Sequence, residues 1–241
     1  MAFHQLEARD ALGRNLTYGL LDRLGSMIVG GAFAGRPFPT EADLSETHGV
    51  SRSVTREAVK MLTAKGLVSA RPRQGTIIQP DSQWNLFDPD VLRWMLERRF
   101  SIDLLTHFGQ LRVAIEPAAA ALAAREASED GLALIRAGFA RMQAADAGQD
   151  DVLEADVAFH VAILKASGNP FFGQFRDVVS TALKTSIRYT NRIVGRSADL
   201  EAHEMVMNAI LARDEATAQT RMRVIIEDAL DAIRKNEEAL A

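Results

Sequence analysis

The apolar positions in the first third of the chain follow a helical repeat that glycine and proline residues interrupt. Between residues 16 and 29 they recur every three or four positions, which predicts an amphipathic helix. A glycine-rich break follows, and two further helices are predicted over 41–48 and 52–65, separated by Gly49. Ser51 directly precedes the last of these helices, where a serine side chain caps free backbone N–H groups.

Two β-prone segments follow the third helix. Residues 67–70 and 76–79 flank a turn that contains Pro72 and Gly75, which predicts a β-hairpin. The order helix, helix, turn, helix and hairpin is typical of a winged helix-turn-helix, in which the last helix enters the major groove of DNA.

The remainder of the chain is helical in pattern. Residues 80–90 are polar and contain proline, which is typical of a linker. After Val91, short breaks delimit about six helices, and short connections favour an antiparallel bundle. The breaks fall at 100–101, 147–150, 167–170, 195–198 and 213–214.

We therefore expect a mainly α protein in three parts. The length of 241 residues leaves room for two small domains. The expected parts are a winged helix-turn-helix DNA-binding domain (1–80), an interdomain segment (81–99) and an antiparallel all-helical domain (100–241).

The composition excludes several kinds of chemistry. The chain has no cysteine, which excludes disulfides, thiolate metal ligands and a cysteine nucleophile, and favours a reducing cytoplasm as its location. No apolar run is long enough to span a membrane. The N-terminus lacks the apolar core of a signal peptide.

Charge is distributed unevenly along the chain. The net charge is −4, but residues 1–80 carry +3 and the remainder −7. Residues 51–73 alone carry +5, a local basic footprint of the kind that contacts nucleic acid. A solvated helix face would produce the same charge pattern.

The third helix and the hairpin supply the side chains for reading DNA. Arg52 and Arg56 are four residues apart, so they project from one helix face, and arginine pairs with both acceptors on the major-groove edge of guanine. Serine hydroxyls can bind phosphates or base edges, and the arginines of the hairpin tip can reach an adjacent groove. The candidate DNA contacts are Ser51, Arg52, Ser53, Arg56, Arg71, Arg73 and Gly75.

Four polar residues stand out in the helical half. Asp156 and His160 are spaced to share a helix face, His203 lies on a later helix and Arg112 on the first. Oxygen and imidazole ligands suit a divalent metal, and a buried guanidinium requires a carboxylate. Three other interpretations remain open: a surface Asp–His pair, a capping or surface role for His203, and an Arg112 that pairs with Glu116 at i+4. Sequence spacing alone does not bring these groups together.

The N-terminal motif resembles the GntR family of transcription regulators. The resemblance rests on residues 39–46, 49–59, 66–68 and 73–76. It implies DNA contacts at Ser51, Arg52, Ser53, Arg56 and Gly75. Many members carry an arginine at the position of Ala42, so that contact is missing in this chain.

The residues at 112–116, 156–160, 167–170, 201–203 and 218–222 give the helical half a resemblance to the FCD ligand-binding domain of the FadR subfamily. The resemblance implies that residues 100–241 bind the effector and form the dimer. In that domain an Asp and three His commonly hold a divalent metal, which together with an Arg grips a carboxylate effector. The resemblance assigns three ligand positions to Asp156, His160 and His203, and places Ile225 at the fourth. It implies a possible divalent ion, zinc foremost, whose affinity the missing ligand lowers, and an effector held by Arg112.

Residues 83–94 are similar to the interdomain segment of galactonate-repressor-like sugar-acid regulators. The resemblance implies a sugar-acid effector, whose carboxylate would meet Arg112 and whose hydroxyls would meet Asp156, His160 and His203. We add Asn191 as an effector contact, and expect Trp84 and Trp94 to pack between domains.

The expected function is that of a one-component transcription repressor that is not an enzyme. A homodimer would present two recognition helices to double-stranded operator DNA, and a small organic acid would shift the dimer away from the operator-bound geometry. Two alternatives are a metal-dependent hydrolase or lyase with an appended DNA-binding domain, and a constitutive DNA-binding protein with a structural helical domain. An acid that promotes DNA binding is a further alternative.

Overall fold

A computed structural model describes the chain at residues 2–71, 73, 75–98, 101–184 and 199–240. The chain divides into two compact units, Met1–Phe100 and Ser101–Ala241. The described residues are mainly helical and include one two-stranded sheet. None of the described helices is long and apolar enough to cross a membrane.

The first unit is a winged helix-turn-helix, as the sequence predicts. Thr40 and Asp43 cap the second helix reciprocally, since each side chain accepts a hydrogen bond from the backbone N–H of the other. Gly49 then reverses the chain in the left-handed conformation (φ 63°) before the third helix begins. The elements are α1 (Ala2–Val29), α2 (Glu41–His48), α3 (Arg52–Ala64), β1 (Val68–Arg71), β2 (Gly75–Ile78) and α4 (Pro89–Arg98).

The wing is an antiparallel hairpin. Val68 pairs with Ile78 at its base, and Arg71 pairs with Gly75 next to the tip. Leu67 and Val68 at the base of the hairpin are buried in the same apolar core as Leu62 of α3. The hairpin is therefore anchored at one end and exposed at the other.

Residues 81–98 belong to the first unit, which differs from the expected interdomain segment over 81–99. Trp94 is 1% exposed and packs on α1 so closely that a Cβ at Gly25 would lie 2.3 Å from its ring. Trp84 is also buried, and its Nε1 donates to the Gln79 carbonyl over 3.0 Å. Packing of both tryptophans between domains was thus a wrong expectation. The polar residues that indicated a linker form a short 3-10 turn (Asp81–Gln83) and the N-cap and first turn of α4.

The second unit is a bundle of helices with short connections. Two breaks differ from the prediction. The first long helix ends at Glu126, and Ser128 caps the next, because its hydroxyl accepts from the Gly131 N–H. A turn at Phe175 interrupts the helical segment that follows residue 170. The predicted break at 195–198 lies outside the described residues. The elements are α5 (Ile102–Glu126), α6 (Glu129–Asp146), α7 (Val152–Ala166), α8 (Pro170–Gln174), α9 (described over 176–184), α10 (Leu200–Leu211) and α11 (Glu215–Leu240).

Small residues let the helices of the bundle approach closely. A Cβ at Gly138 of α6 would lie 2.9 Å from the Cα of Phe159 on α7, and one at Gly109 of α5 would meet Leu230 of α11. Helix α10 also packs against α5, α6 and α11. Polar side chains on α5, α7 and α10 are consequently enclosed in the bundle.

Candidate DNA interface and ligand site

The N-terminal end of α3 presents an exposed polar surface. The Ser51 hydroxyl caps the helix by accepting from the Val54 N–H and lies 2.9 Å from the Ser53 hydroxyl. Arg52 and Arg56 are exposed, while Ala58, Val59 and Leu62 on the opposite face are buried. The helix is thus oriented as the sequence predicts.

Arg56 has a partner that the sequence did not indicate. Its Nε lies 3.5 Å from Glu41 Oε2 at the start of α2, and both side chains are substantially exposed. An exposed pair of this kind contributes little to stability. The pair does orient the guanidinium group of Arg56, because its Nε edge faces Glu41 and the rest of the group stays exposed.

The tip of the wing carries the other predicted contacts. Arg71 and Arg73 are both exposed. Arg73 has a φ of 64° and Gly75 a φ of 77°, so the turn uses the left-handed region at two positions. The seven candidate DNA contacts therefore lie on exposed ends of α3 and the hairpin, within one compact unit.

The second unit contains a buried cluster of five charged or ionisable side chains, here called the polar cluster. Helix α5 contributes two of them, α7 two and α10 one. Each is at most 6% exposed, although such groups are rarely buried without partners. The members are Arg112, Glu116, Asp156, His160 and His203.

Glu116 is the centre of one half of the polar cluster. Its Oε1 accepts from Arg112 Nε over 2.5 Å, and its Oε2 accepts from His160 Nδ1 over 2.5 Å. Arg112 Nη2 also lies 3.3 Å from Glu116 Oε2. The pairing of Arg112 with its i+4 neighbour is therefore present, and one carboxylate connects α5 to α7.

The other half of the polar cluster brings three ligand atoms together. Asp156 Oδ1 lies 3.5 Å from His160 Nε2 and 3.2 Å from His203 Nε2. His203 Nδ1 lies 2.6 Å from the Asp199 carbonyl, which can only accept, so Nδ1 carries a proton and Nε2 is the ring nitrogen that faces Asp156. Asp156 Oδ1 and His203 Nε2 are buried and make no hydrogen bond to the described residues.

This arrangement fits a divalent cation. A carboxylate oxygen and an unprotonated imidazole nitrogen at this distance would repel each other, and a cation bound between them would remove that repulsion. Ligand atoms about 2.1 Å from a tetrahedral ion are separated by roughly 3.4 Å, close to both distances around Asp156 Oδ1. Glu116 would fix the ring orientation of His160, as carboxylates do for metal-bound histidines. Among the described residues the ligand set has three members, Asp156, His160 and His203.

When no metal is bound, charge interactions within the polar cluster shift the pKa values of three of its members. Burial alone would raise the pKa of Glu116, but Arg112 and His160 outweigh burial and lower it to about 2. Burial would lower the pKa of His160, but Glu116 and Asp156 raise it to about 9. Burial also opposes ionisation of Asp156, whose pKa the two histidines nevertheless hold well below its usual range.

We expect the metal-free protein to lose stability as pH rises above neutrality. His160, with a raised pKa, stabilises the fold fully below pH 6.5, and this contribution disappears as pH approaches about 9. Glu116, with a lowered pKa, stabilises the fold above pH 4.5 and loses its contribution as pH falls towards about 2. Urea midpoints of chelator-treated protein, followed by far-UV circular dichroism, should fall between pH 6.5 and 9. In His160→Gln the fall should be shallower; an equal slope would contradict the assignment to His160.

Four of the five predicted effector contacts lie among the described residues. Arg112, Asp156, His160 and His203 lie together, while Asn191 lies outside the described residues. Ile225, at the expected fourth ligand position, is an apolar, partly exposed residue of α11. The sequence spacing indicates the Arg112–Glu116 pair but assigns Glu116 no role in the site.

Comparisons with known proteins now decide the family. Residues 17–78 match the model for bacterial regulatory proteins of the gntR family, and residues 108–228 match the FCD domain. The chain belongs to the GntR family of bacterial regulators. Its GntR domain binds operator DNA and its FCD domain binds small-molecule effectors.

Similar GntR regulators match nearly end to end. The HTH-type transcriptional regulator YieP of Escherichia coli K12 is 34% identical, over 85% of this chain and 89% of YieP. The galactonate operon transcriptional repressor of the same organism is 32% identical, over 88% of this chain and 94% of the repressor. The solved structure of Lar, which controls the Listeria monocytogenes agr system, shares the fold with a TM-score of 0.57 at 16% identity, over 91% of this chain and 96% of Lar.

This GntR regulator is not an enzyme. The matched family and the similar proteins are transcription regulators, and nothing among them supports a hydrolase or lyase. The polar cluster is accordingly a candidate for ligand sensing and not for turnover.

Proposed function

We propose that this chain is a dimeric repressor of a sugar-acid catabolic operon, and that an aldonate-type acid binds the polar cluster and releases the protein from its operator. The observation that carries the proposal is the set of five buried charged or ionisable side chains inside the FCD domain. A purely structural domain has no need for such a set, because buried charges cost free energy even when paired.

The charges of the polar cluster favour a monoanion when a divalent ion is present. Without metal, Arg112 and protonated His160 balance the carboxylates of Glu116 and Asp156. A divalent ion held by Asp156 with two neutral histidines leaves one surplus positive charge. A single carboxylate neutralises that surplus, and hydroxyl groups suit the remaining polar surface.

Zinc is the metal we favour, since one carboxylate and two imidazoles with an open position match its preferences. When bound, it would supply a Lewis-acidic site for the oxygen atoms of the acid. Arg112 would reinforce the negative end of the ligand while Glu116 holds its guanidinium in place. The similarity to the galactonate operon repressor supports an aldonate as the first ligand to test.

A homodimer supports the DNA-binding step. One recognition helix reads only a few base pairs, and two helices related by twofold symmetry read two half-sites of a pseudo-palindrome. We expect the ligand to favour a dimer geometry that no longer matches those half-sites.

The test begins with operator sequences selected from random duplex DNA. Operator affinity is then measured by fluorescence anisotropy in zinc-loaded and chelated protein, with D-galactonate, the dicarboxylate D-galactarate and uncharged D-galactose. We expect D-galactonate alone to weaken operator binding, and only in the zinc-loaded protein. At about 100 times its dissociation constant it should also stabilise the fold by about 2.7 kcal/mol. Equal responses to all three compounds, or no response to D-galactonate, would rule out the proposed ligand class.

Arg52→Ala should relax sequence preference. Arg52 is exposed in the first turn of α3, so its removal should cost about 1–3 kcal/mol of base discrimination. Selection of bound sequences from random DNA measures this loss. Lys60→Ala is the matched control, because Lys60 is an exposed cation two turns further along the same helix. An unchanged sequence preference in Arg52→Ala would remove this residue from base readout.

A further inference from the structure

Lys65 at the end of the recognition helix points inward and not towards DNA. Its side chain is only 11% exposed. Its Nζ donates to both carboxylate oxygens of Asp88, each over 2.8 Å, and to Asp90 Oδ2 over 2.9 Å. The ammonium group thus uses all three protons within the protein, and it also lies 5.9 Å from the Trp94 ring centroid.

Asp88 links this lysine to the next helix. Its Oδ1 accepts from the N–H groups of Asp90 and Val91, over 3.0 and 3.3 Å, and thereby caps α4. The same carboxylate binds the cation at the C-terminal end of α3. Because a helix favours a cation at its C-terminus and an anion at its N-terminus, Lys65 and Asp88 complement both helix ends at once.

Further contacts fasten α4 to the DNA-binding body. The Asn85 N–H donates to the Lys65 carbonyl over 3.0 Å, and Gly66 approaches the chain so closely that a Cβ would lie 2.3 Å from the Gln83 carbonyl oxygen. Helix α1 also holds α4, because Asp22 accepts from Arg93 and from the Trp94 indole, over 2.7 and 2.8 Å.

We propose that Lys65 is a positioning residue that couples the recognition helix to α4, so that α3 and α4 move as one body. Helix α4 ends at Arg98, and the chain enters α5 of the FCD domain at Ile102. A ligand-induced displacement of α4 would therefore displace the recognition helix by the same rigid motion. This inference rests on the proposed ligand-dependent release, and its first test is independent of the ligand.

The first test measures whether α3 and α4 are rigidly coupled. The chain has no cysteine, so Lys60→Cys on α3 and Glu97→Cys on α4, both exposed positions, can carry the only two spin labels. Labelled protein is diluted with unlabelled chain so that both labels of a pair lie in one chain. We expect one narrow distance distribution that selected operator DNA and D-galactonate leave unchanged. It should broaden in Lys65→Gln and become narrow again in Lys65→Arg, which retains the cation. A distribution in Lys65→Gln as narrow as in the parent, or a shift in the parent on operator binding, would overturn the proposal.

The second test measures coupling to the ligand. In the parent, D-galactonate should change operator affinity by a factor within the about 5–150-fold range typical of coupled sites. In Lys65→Gln this factor should fall below about threefold, while the affinity without the acid stays within about threefold of the parent value. A full response in Lys65→Gln would overturn the proposal. If the parent itself does not respond, the proposed ligand fails, and the label distances alone decide the coupling.

If circular dichroism shows that Lys65→Gln does not fold, the milder variant Asp90→Asn replaces it in the test. Asp90→Asn weakens one of the three contacts of Lys65, together with the Asp90–Arg93 pair within α4, and leaves the Asp88 cap intact. It should broaden the label distances less than Lys65→Gln. Parent-like distances in Asp90→Asn, with Lys65→Gln unfolded, would count against the coupling role.

Discussion

Replacing Arg112 by methionine should lower the free energy of unfolding of the FCD domain by about 3–5 kcal/mol. Arg112 is 6% exposed and is bonded through Nε to Glu116, which is itself 1% exposed. Methionine fills similar space without charge, so Glu116 would keep only His160 as a partner. A loss of this size is a large part of the stability of a typical domain.

Urea unfolding followed by far-UV circular dichroism measures this loss. Tryptophan fluorescence does not report it, because Trp84 and Trp94 both lie in the first unit. Arg136→Met is the matched control, since Arg136 is an exposed arginine of α6, and it should change stability by less than about 0.5 kcal/mol. The double variant Arg112→Met/Glu116→Gln should recover part of the loss. Equal stability of Arg112→Met and Arg136→Met would show that the buried pairing is not needed.

Asp156→Asn should weaken zinc binding by about 100-fold or more, because loss of a direct ligand should exceed the 10–100-fold cost of altering an outer partner. Asp156 is the one carboxylate among the three ligand-type residues, and its Oδ1 lies within 3.5 Å of both histidine Nε2 atoms. Asparagine keeps the shape but loses the negative charge that a divalent ion requires. Competition with a chromogenic chelator at constant pH gives the affinity.

A control histidine makes this result specific to the polar cluster. His107 lies on α5 and is exposed, so His107→Ala should leave zinc affinity unchanged. Parent-like affinity in Asp156→Asn would mean that zinc binds elsewhere. Chelation would then abolish acid binding only if that other zinc site also contacted the acid.

Local sequence signals predicted the DNA-binding part of the fold well. Thr40, Gly49 and Ser51 are residue types that favour helix ends. In the structure Thr40 and Gly49 cap the two ends of α2, and Ser51 caps the start of α3. Residues 81–98 differ from the predicted interdomain segment, because a polar segment with proline is typical of linkers and of helix starts alike. Only the burial of Trp94 against Gly25, nearly seventy residues earlier, distinguishes the two.

The polar cluster was predictable only in part. Spacing alone allowed the Arg112–Glu116 and Asp156–His160 pairs, because each lies within one helix. The contact between Glu116 and His160 joins residues 44 positions apart and depends on how α5 packs against α7. The position of His203 depends likewise on the packing of α10, which no local pattern determines.

The turn at the tip of the wing has a consequence for how this protein would change under heat. Arg73 adopts a backbone conformation that glycine or asparagine adopts at lower cost. Selection for thermal tolerance alone would therefore replace this arginine, and the replacement would remove a positive charge from the end of the hairpin. If Arg73 contacts DNA as predicted, heat resistance and gene control place opposing demands on this one position.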